Sequence, residues 1–304
     1  MCTPEQLTPP YGVIDNRSGP IMFRGSKTTW PNFAWTPLEG TDKKLYKGED
    51  YNTEFDPKVF LSTYFSDVTG HADKGDHMEF MMDSLHGIFS DGELRGRRLL
   101  DVGTGPSIHT IISAGKHVDE IYLSDFSKPN REVLQDWKKG RLTHSFETFF
   151  KYIVDKEGNS ESASAREEET RTKVKDIFFV DLLSDSWPEL SSQQPYDVII
   201  TSLCLEATAP TIDVYHSILE RLVALLKPNG ILVIVGVLGE SFYKVGDKYF
   251  YCLPLTESDT KEICTLCNLD LLHWESNKPE VANPTTQSNL EGTFVMVAKK
   301  VNRQ

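Results

Sequence analysis

One stretch, residues 98–106, constrains the fold of this 304-residue chain more than any other. It begins with an apolar run, breaks at Gly103 and Gly105, and is followed by a helical pattern from Pro106. We interpret it as a buried strand, a tight turn and the start of a helix. Glycines let a backbone approach a ligand closely, and proline suits the first helical position. Such turns are common in α/β proteins and are usually only connections, so the neighbouring stretches decide its meaning.

The next strand pattern, residues 120–125, also ends in an acid. In nucleotide-binding folds an acid about 20 residues after the glycine turn binds the ribose hydroxyls. Asp101 and Asp125 end adjacent strands and therefore face one cleft. A dinucleotide fingerprint would need a glycine at position 108, where the chain has Ile108. An adenosine ligand without a pyrophosphate fits better, and S-adenosylmethionine is the cofactor that we expect.

Three stretches, residues 100–108, 123–131 and 202–207, together resemble the small-molecule amine N-methyltransferases, which act on nicotinamide, phenylethanolamine and indolethylamine. Residues 226–230 and 237–243 extend the match in the same order along the chain. The resemblance implies an α/β fold of the class I, Rossmann-like, S-adenosylmethionine-dependent methyltransferases. Its seven-stranded sheet would be mostly parallel, with residues 292–299 as an antiparallel edge strand.

The resemblance also implies a set of cofactor-binding residues. Asp125 would bind the ribose and Asp181 would accept the exocyclic amine of adenine. Two residues of the implied lid, Phe60 and Phe65, stand where the family has tyrosines, so those phenol hydroxyls are lost; His109 likewise replaces a tyrosine and is expected to line the cavity. The full predicted set is Phe60, Phe65, Gly103, Thr104, Gly105, His109, Asp125, Phe126, Asn130, Asp181, Leu182 and Ser202.

At the acceptor end we predict Glu206 as the catalytic residue, because it matches the family carboxylate that holds or deprotonates the amine. A surface acid is the alternative interpretation, but Glu206 follows an apolar stretch. Tyr51 and Tyr243 are expected to line the acceptor pocket, and Ser241 to donate a hydrogen bond to a substrate amide. The aromatic residues slightly favour nicotinamide over an arylalkylamine, because rings stack on flat or cationic groups.

The chain divides into an irregular N-terminal extension, residues 1–50, and a methyltransferase domain, residues 51–304. Within this domain we predict a lid helix at 55–70 and a hairpin at 241–253. Residues 146–173 depart in composition, and the charged run within them, residues 165–173, is expected to form a solvated loop and helix face without chemistry.

Composition restricts the partners. A net charge of −13, without a dense basic run, argues against a nucleic-acid partner. We see no stretch of membrane-spanning length and no signal peptide, so we expect a cytoplasmic protein without a membrane partner, taken as a monomer. Five cysteines suit reduced thiols. Cys264 and Cys267 form a single CxxC pair that indicates buried core cysteines, and no metal site is expected.

Two other classes of function stay open from the sequence. The chain is either an active enzyme or an inactive cofactor-binding or interaction protein on the same fold, which the missing phenols at Phe60 and Phe65 make worth testing. A nucleotide-dependent oxidoreductase is the third class, disfavoured by Ile108. Binding of S-adenosylmethionine, S-adenosylhomocysteine and NAD, joined to a methyl-transfer assay, separates the three.

Overall fold

The computed structural model describes residues 43–69, 77–91, 94, 96–158, 160–278 and 287–301. Positions 1–42 of the predicted extension therefore lie outside the described residues. The strands are β1 Leu45–Tyr46, β2 Gly96–Val102, β3 Val118–Asp125, β4 Val174–Phe179, β5 Tyr196–Ser202, β6 Leu226–Leu238, β7 Phe242–Val245, β8 Lys248–Tyr251, β9 Leu269–Asn277 and β10 Gly292–Lys300. The helices are α1 Pro57–Tyr64, α2 His77–Ser90, α3 His109–Ala114, α4 Lys128–Lys138, α5 Glu147–Glu157, α6 Ala163–Lys173, α7 Pro188–Ser192, α8 Leu205–Thr208, α9 Ile212–Leu225 and α10 Glu257–Leu266.

The central sheet has seven strands in the order β4-β3-β2-β5-β6-β10-β9. The first five strands of that order are parallel to one another, and β10 is antiparallel to both of its neighbours, β6 and β9. The predicted α/β, mostly parallel, seven-stranded sheet with one antiparallel strand is confirmed. Because parallel strands carry their carboxyl ends to one edge, residues after β2, β3, β4 and β5 come together there.

The position of the antiparallel strand differs from the prediction. Residues 292–299 were expected at the edge, but β10 lies one strand inside it and β9 is the edge strand. Seven residues of β10 are buried, as in a strand with neighbours on both sides. In β9, by contrast, Leu271 is 41% and Leu272 is 52% exposed. This mixed pattern is why the sequence did not indicate β9 as a strand.

Helices cover both faces of the sheet. On one face α2, α3 and α5 pack around Leu99, Ile111 and Phe149. On the other, α9 and α10 contribute Tyr215 and Leu222 together with the two CxxC cysteines, Cys264 and Cys267, which are buried as predicted. In the described part of the chain no helix is long and apolar enough to cross a membrane.

The charged segment 146–173 forms α5 and α6, and most of α6 is solvated as expected. Arg166 departs from the expectation, because its side chain is fully buried. It donates hydrogen bonds to Glu157 at 2.8 Å and to Glu161 at 3.1 Å. Burial alone would raise the pKa of Glu157, but the hydrogen bonds from Arg166 and Lys116 outweigh it and hold this pKa at about 2.

A small second sheet and α1 lie over the carboxyl edge of the large sheet. The predicted hairpin is present as β7 and β8, joined at Gly246, and β1 adds to β8 in parallel. Asp56 caps α1 by accepting hydrogen bonds from the backbone of Lys58 and Val59. Tyr64 then donates to the carbonyl of Lys244 at 2.7 Å, which ties helix to hairpin. We call residues 43–65 together with β7 and β8 the cover.

Candidate active site

A cavity of about 900 Å³ lies between the cover and the carboxyl edge of the large sheet. Two predicted site residues, Glu206 and Ser241, are not in its wall. The other predicted residues line it: Tyr51, Phe60, Phe65, Gly103, Thr104, Gly105, His109, Asp125, Phe126, Asn130, Asp181, Leu182, Ser202 and Tyr243. The structure therefore brings together residues that are up to about 190 positions apart in the chain, as Tyr51 and Tyr243 are, a separation of 192.

The glycine turn after β2 forms the floor of the cavity. Gly103 and Gly105 both have left-handed backbone, with φ of 67° and 66°. A Cβ on Gly103 would collide with the sulfur of Cys204, so this position requires glycine. The helix begins at His109 rather than at Pro106, so the prediction of Pro106 at the first helical position is wrong. The extra turn residues leave the backbone of 103–107 open to the cavity.

Asp125 ends β3 and is fixed from three sides. Its Oδ2 accepts from the Gly105 backbone at 2.8 Å, and its Oδ1 accepts from the Ser127 backbone at 2.8 Å and from Asn130 Nδ2 at 3.1 Å. Burial raises the pKa of Asp125, and these hydrogen bonds oppose the rise. The buried Oδ1 of Asn130 has no partner among the described residues. The carboxyl of Asp125 is thus held in place, and the Oδ1 of Asn130 beside it still lacks a partner in the described part of the chain. Both are oxygen acceptors suited to the hydroxyl groups of a ribose.

The loop after β4 forms the far wall. Asp181 accepts a hydrogen bond from the Leu183 backbone at 3.0 Å, and its own carbonyl accepts from Trp187 Nε1 at 2.9 Å. Phe126, which follows the neighbouring strand β3 and lines the cavity, contacts Phe179 with ring centroids 6.0 Å apart. The loop is thus held in one shape, with an apolar ring near a carboxylate, which suits a flat base carrying an exocyclic amine.

His109 connects the turn to β5. One ring nitrogen lies 2.7 Å from Ser107 Oγ and the other lies 3.0 Å from Ser202 Oγ. Burial lowers the pKa of His109 to about 3, so the imidazole is neutral at physiological pH. Its ring lies 5.1 Å from that of Phe65. The prediction that His109 lines the cavity agrees with its position, and its two serine partners provide the polar groups at this end.

Two tyrosines close the roof. The hydroxyls of Tyr51 and Tyr243 lie 2.6 Å apart, which joins the segment before α1 to the hairpin. We call this segment, residues 47–56, the strap. The carbonyl of Tyr51 accepts from Ser127 Oγ at 3.2 Å, and Asn52 Oδ1 accepts from the Lys128 backbone at 3.0 Å. Burial raises the pKa of both tyrosines. The strap therefore spans the cavity from the hairpin to the start of α4.

Glu206 lies behind the cavity wall. It is 1% exposed in α8, and its Oε1 accepts from the Val237 backbone at 3.2 Å. Burial raises the pKa of Glu206 to about 7, and the charge of Glu240 adds to the rise. Its neighbour in the chain, Ala207, lines the cavity. Glu206 therefore does not line the cavity itself but precedes, in sequence, a residue that does, and its carboxyl packs against β6.

Glu240 is a second buried acid that the sequence analysis missed, although it lies within residues 237–243. It is 6% exposed, and burial raises its pKa to about 7. The hydroxyl of Ser288 donates to it, and the buried thiol of Cys252 lies near both Glu240 and Glu206. We call Glu206 and Glu240 the acid pair. Ser241, the predicted amide donor, already accepts from Asn289 at 3.0 Å.

Comparisons with known proteins agree with this arrangement. The sequence profile of the NNMT/PNMT/TEMT family matches residues 43–301. Nicotinamide N-methyltransferase of Homo sapiens is 29% identical, over 84% of this chain and 96% of the relative. Indolethylamine N-methyltransferase of Oryctolagus cuniculus is 30% identical, over 83% and 96%. Phenylethanolamine N-methyltransferase of Macaca mulatta is 26% identical, over 81% and 89%.

Solved structures show the same fold. Magnesium protoporphyrin IX methyltransferase from Synechocystis PCC 6803, solved with bound SAH, has a TM-score of 0.51 and 11% identity, and the match covers 83% of this chain and 96% of that chain. The Rossmann-like methyltransferase fold is confirmed. Nothing in these comparisons favours the inactive protein or the oxidoreductase.

If Asp125 holds the ribose, Asp125→Ala should weaken the binding of S-adenosylhomocysteine by about 1.5–3 kcal/mol, the value of a hydrogen bond to a charged group. Titration calorimetry on the folded variant measures the change. Asp119→Ala, an exposed acid on the same strand, is the matched control and should bind as the wild type does. Equal affinity in the Asp125 variant and the control would remove Asp125 from the ribose site.

Proposed function

The chain belongs to the NNMT/PNMT/TEMT family, and we propose that its acceptor is a small alkylamine that reaches the site as an ammonium ion. It is an S-adenosylmethionine-dependent amine N-methyltransferase, like the relatives it matches along most of their length. The acid pair is the observation that carries the proposal on the acceptor.

The residues of the cavity suit S-adenosylmethionine. When bound, this cofactor supplies a sulfonium methyl group for in-line displacement by a nitrogen. Asp125 and Asn130 would hold the ribose, and Asp181 with Leu182 would hold the adenine. Ser202 and His109 would meet the methionine end, beyond the glycine turn. The contribution of these groups is alignment, and proximity and orientation can supply about 7–11 kcal/mol of the barrier.

The acid pair distinguishes between two kinds of acceptor. An alkylammonium must lose a proton before its nitrogen can attack, whereas the ring nitrogen of nicotinamide carries none. Buried carboxylates are costly unless a cation pairs with them. Among the described residues no lysine or arginine forms an ion pair with Glu206 or Glu240. An incoming ammonium would provide the missing positive charge, and a carboxylate with a pKa near 7 is suited to take its proton.

Nicotinamide is the second candidate. The rings of Tyr51, Phe60 and Tyr243 line the cavity and suit a flat acceptor or a cationic product. These rings favoured nicotinamide slightly from the sequence alone. They suit an arylalkylamine equally well, whereas a neutral pyridine brings no positive charge to offset that of the acid pair. The balance therefore favours the alkylamine.

The cover is the route by which both molecules would enter. We propose that α1, inside the predicted lid at 55–70, opens with the strap and closes over the bound cofactor. Phe60 and Phe65 face the cavity and gain ring contacts with a ligand only when α1 is closed. Neither Glu206 nor Glu240 is in the cavity wall, so we propose that the same motion gives the acceptor access to the acid pair.

The lid is expected to exchange its amide hydrogens more slowly when S-adenosylhomocysteine is bound. Hydrogen exchange of residues 55–69 with and without this ligand measures the effect, and α9, in the core of the opposite face, is the internal control. Equal protection of 55–69 in both states would make the segment a fixed part of the core.

The acceptor is tested with three amines, nicotinamide, phenylethanolamine and tryptamine. Glu206→Gln and Glu240→Gln should each lower kcat/KM for the two alkylamines by about 10²-fold, as for a lost general base. Nicotinamide turnover should fall much less. For alkylamines the wild type should lose activity as pH falls below about 7, because the acid pair is then protonated.

Glu132→Gln, which changes an exposed acid on α4, is the control and should leave every rate unchanged. Equal modest losses on all three amines would reduce the acid pair to orientation of the substrate. No transfer to any of them, with S-adenosylhomocysteine still bound, would contradict a small-amine acceptor.

We also propose that the protein works in the cytoplasm as a monomer with no nucleic-acid or membrane partner. Cys204, Cys252, Cys264 and Cys267 are free thiols, as in a reducing compartment. One chain supplies every residue of the site, so a second copy is not needed to complete it. The net charge of −13 disfavours binding to a phosphate backbone.

A further inference from the structure

A short loop before β10, residues 288–291, holds the segment that carries Glu240. We call it the clamp loop. Its two ends bracket the segment: Glu291 N donates to the Leu238 carbonyl at 2.8 Å, and Ser288 forms a bridge with Tyr243. The clamp loop is about 50 residues away in sequence, since Ser288 and Glu240 are 48 positions apart. The contact is therefore tertiary.

Asn289 makes the central contacts of the clamp loop. Its Oδ1 accepts from the backbone N–H of Ser241 at 3.0 Å and of Phe242 at 3.3 Å. Its Nδ2 donates to Ser241 Oγ at 3.0 Å. One side-chain amide thus satisfies two consecutive backbone donors and a hydroxyl directly after Glu240. Backbone donors at a partly buried site need such partners, because losing one costs the desolvation of the group.

The segment that carries Glu240, residues 239–241, belongs to no strand, so contacts with other parts of the chain are needed to fix its conformation. β6 ends at Leu238 and β7 begins at Phe242, so Glu240 lies in the turn between them. Gly239 has left-handed backbone, with φ of 67°. Neither sheet register nor helix geometry fixes where the carboxyl of Glu240 points. Two residues of the clamp loop act on it: Ser288 donates to the carboxyl itself, and Asn289 holds the backbone of Ser241 and Phe242 directly after it.

We propose that Asn289 is a positioning residue for the acceptor, acting through Glu240. By fixing the backbone of 241–242 it aims the second carboxylate of the acid pair, and so it determines affinity for the amine. None of the clamp-loop residues lines the cofactor cavity, which separates this effect from cofactor binding. The inference rests on the proposed function, since it assumes that Glu240 meets the amine.

Asn289→Ala should raise KM for phenylethanolamine by about tenfold, as expected for lost hydrogen bonds at a buried site. The affinity for S-adenosylhomocysteine should stay within about twofold of the wild type. Asn289→Asp keeps acceptors for both backbone donors, so it should restore most of the amine affinity. Should the alanine variant fail to fold, Asn289→Ser carries the same test, because serine is too short to reach all three groups.

A double-mutant cycle with Glu240→Gln tests whether Asn289 acts through Glu240. If it does, adding Asn289→Ala to Glu240→Gln should change KM for phenylethanolamine by less than about twofold. The full tenfold loss in that background would overturn the proposal, as would a loss shared equally by amine and cofactor. Failure of the proposed function looks different: the wild type itself would then methylate no amine.

Discussion

The burial of two carboxyl groups, with no lysine or arginine paired to either within the part of the chain that the structure describes, is the constraint on which the proposed acceptor site depends. Glu206 and Glu240 both have a pKa of about 7, because burial penalises their charged forms. A fold normally avoids such a pair, since each ionised group destabilises the folded protein. The backbone N–H of Val237 and the hydroxyl of Ser288 offset part of the cost. In the proposed function a bound ammonium relieves the remainder, which would link stability to substrate affinity.

The proposed cofactor and acceptor subsites lie at the same edge of the sheet but are formed by different kinds of structural element. The proposed cofactor side is built from the ends of parallel strands: Asp125 is the last residue of β3, and Asp181 lies two residues after β4. The acceptor side is built from a helix turn, α8, and from the turn after β6. The cover spans both sides through the hydrogen bond between Tyr51 and Tyr243. In the proposed function, closure of the cover over both subsites would align the methyl group with the attacking nitrogen.

The sequence predicted those parts of the fold and site whose position follows from local pattern. Apolar runs ending in an acid located β2, β3 and β4, and parallel pairing then placed Asp125 and Asp181 together. Other features depend on contacts that no local pattern carries. The exposed leucines of β9 concealed the edge strand. Arg166 is buried because Glu157 and Glu161 surround it, although its segment is as charged as a solvated helix. Glu240 was missed because its burial depends on tertiary contacts such as the hydrogen bond from Ser288, 48 residues later in the chain.

Proton exchange on amine binding tests the central claim most directly. Calorimetry of phenylethanolamine binding to the complex with S-adenosylhomocysteine, repeated at pH 7 in buffers of different ionisation enthalpy, counts the protons exchanged. Burial raises the pKa of both members of the acid pair, so part of the pair is protonated at this pH, and an ammonium beside it lowers that pKa. The account predicts net release of protons on binding, abolished in the double variant Glu206→Gln/Glu240→Gln, and none with nicotinamide. Binding of phenylethanolamine without proton release would contradict it.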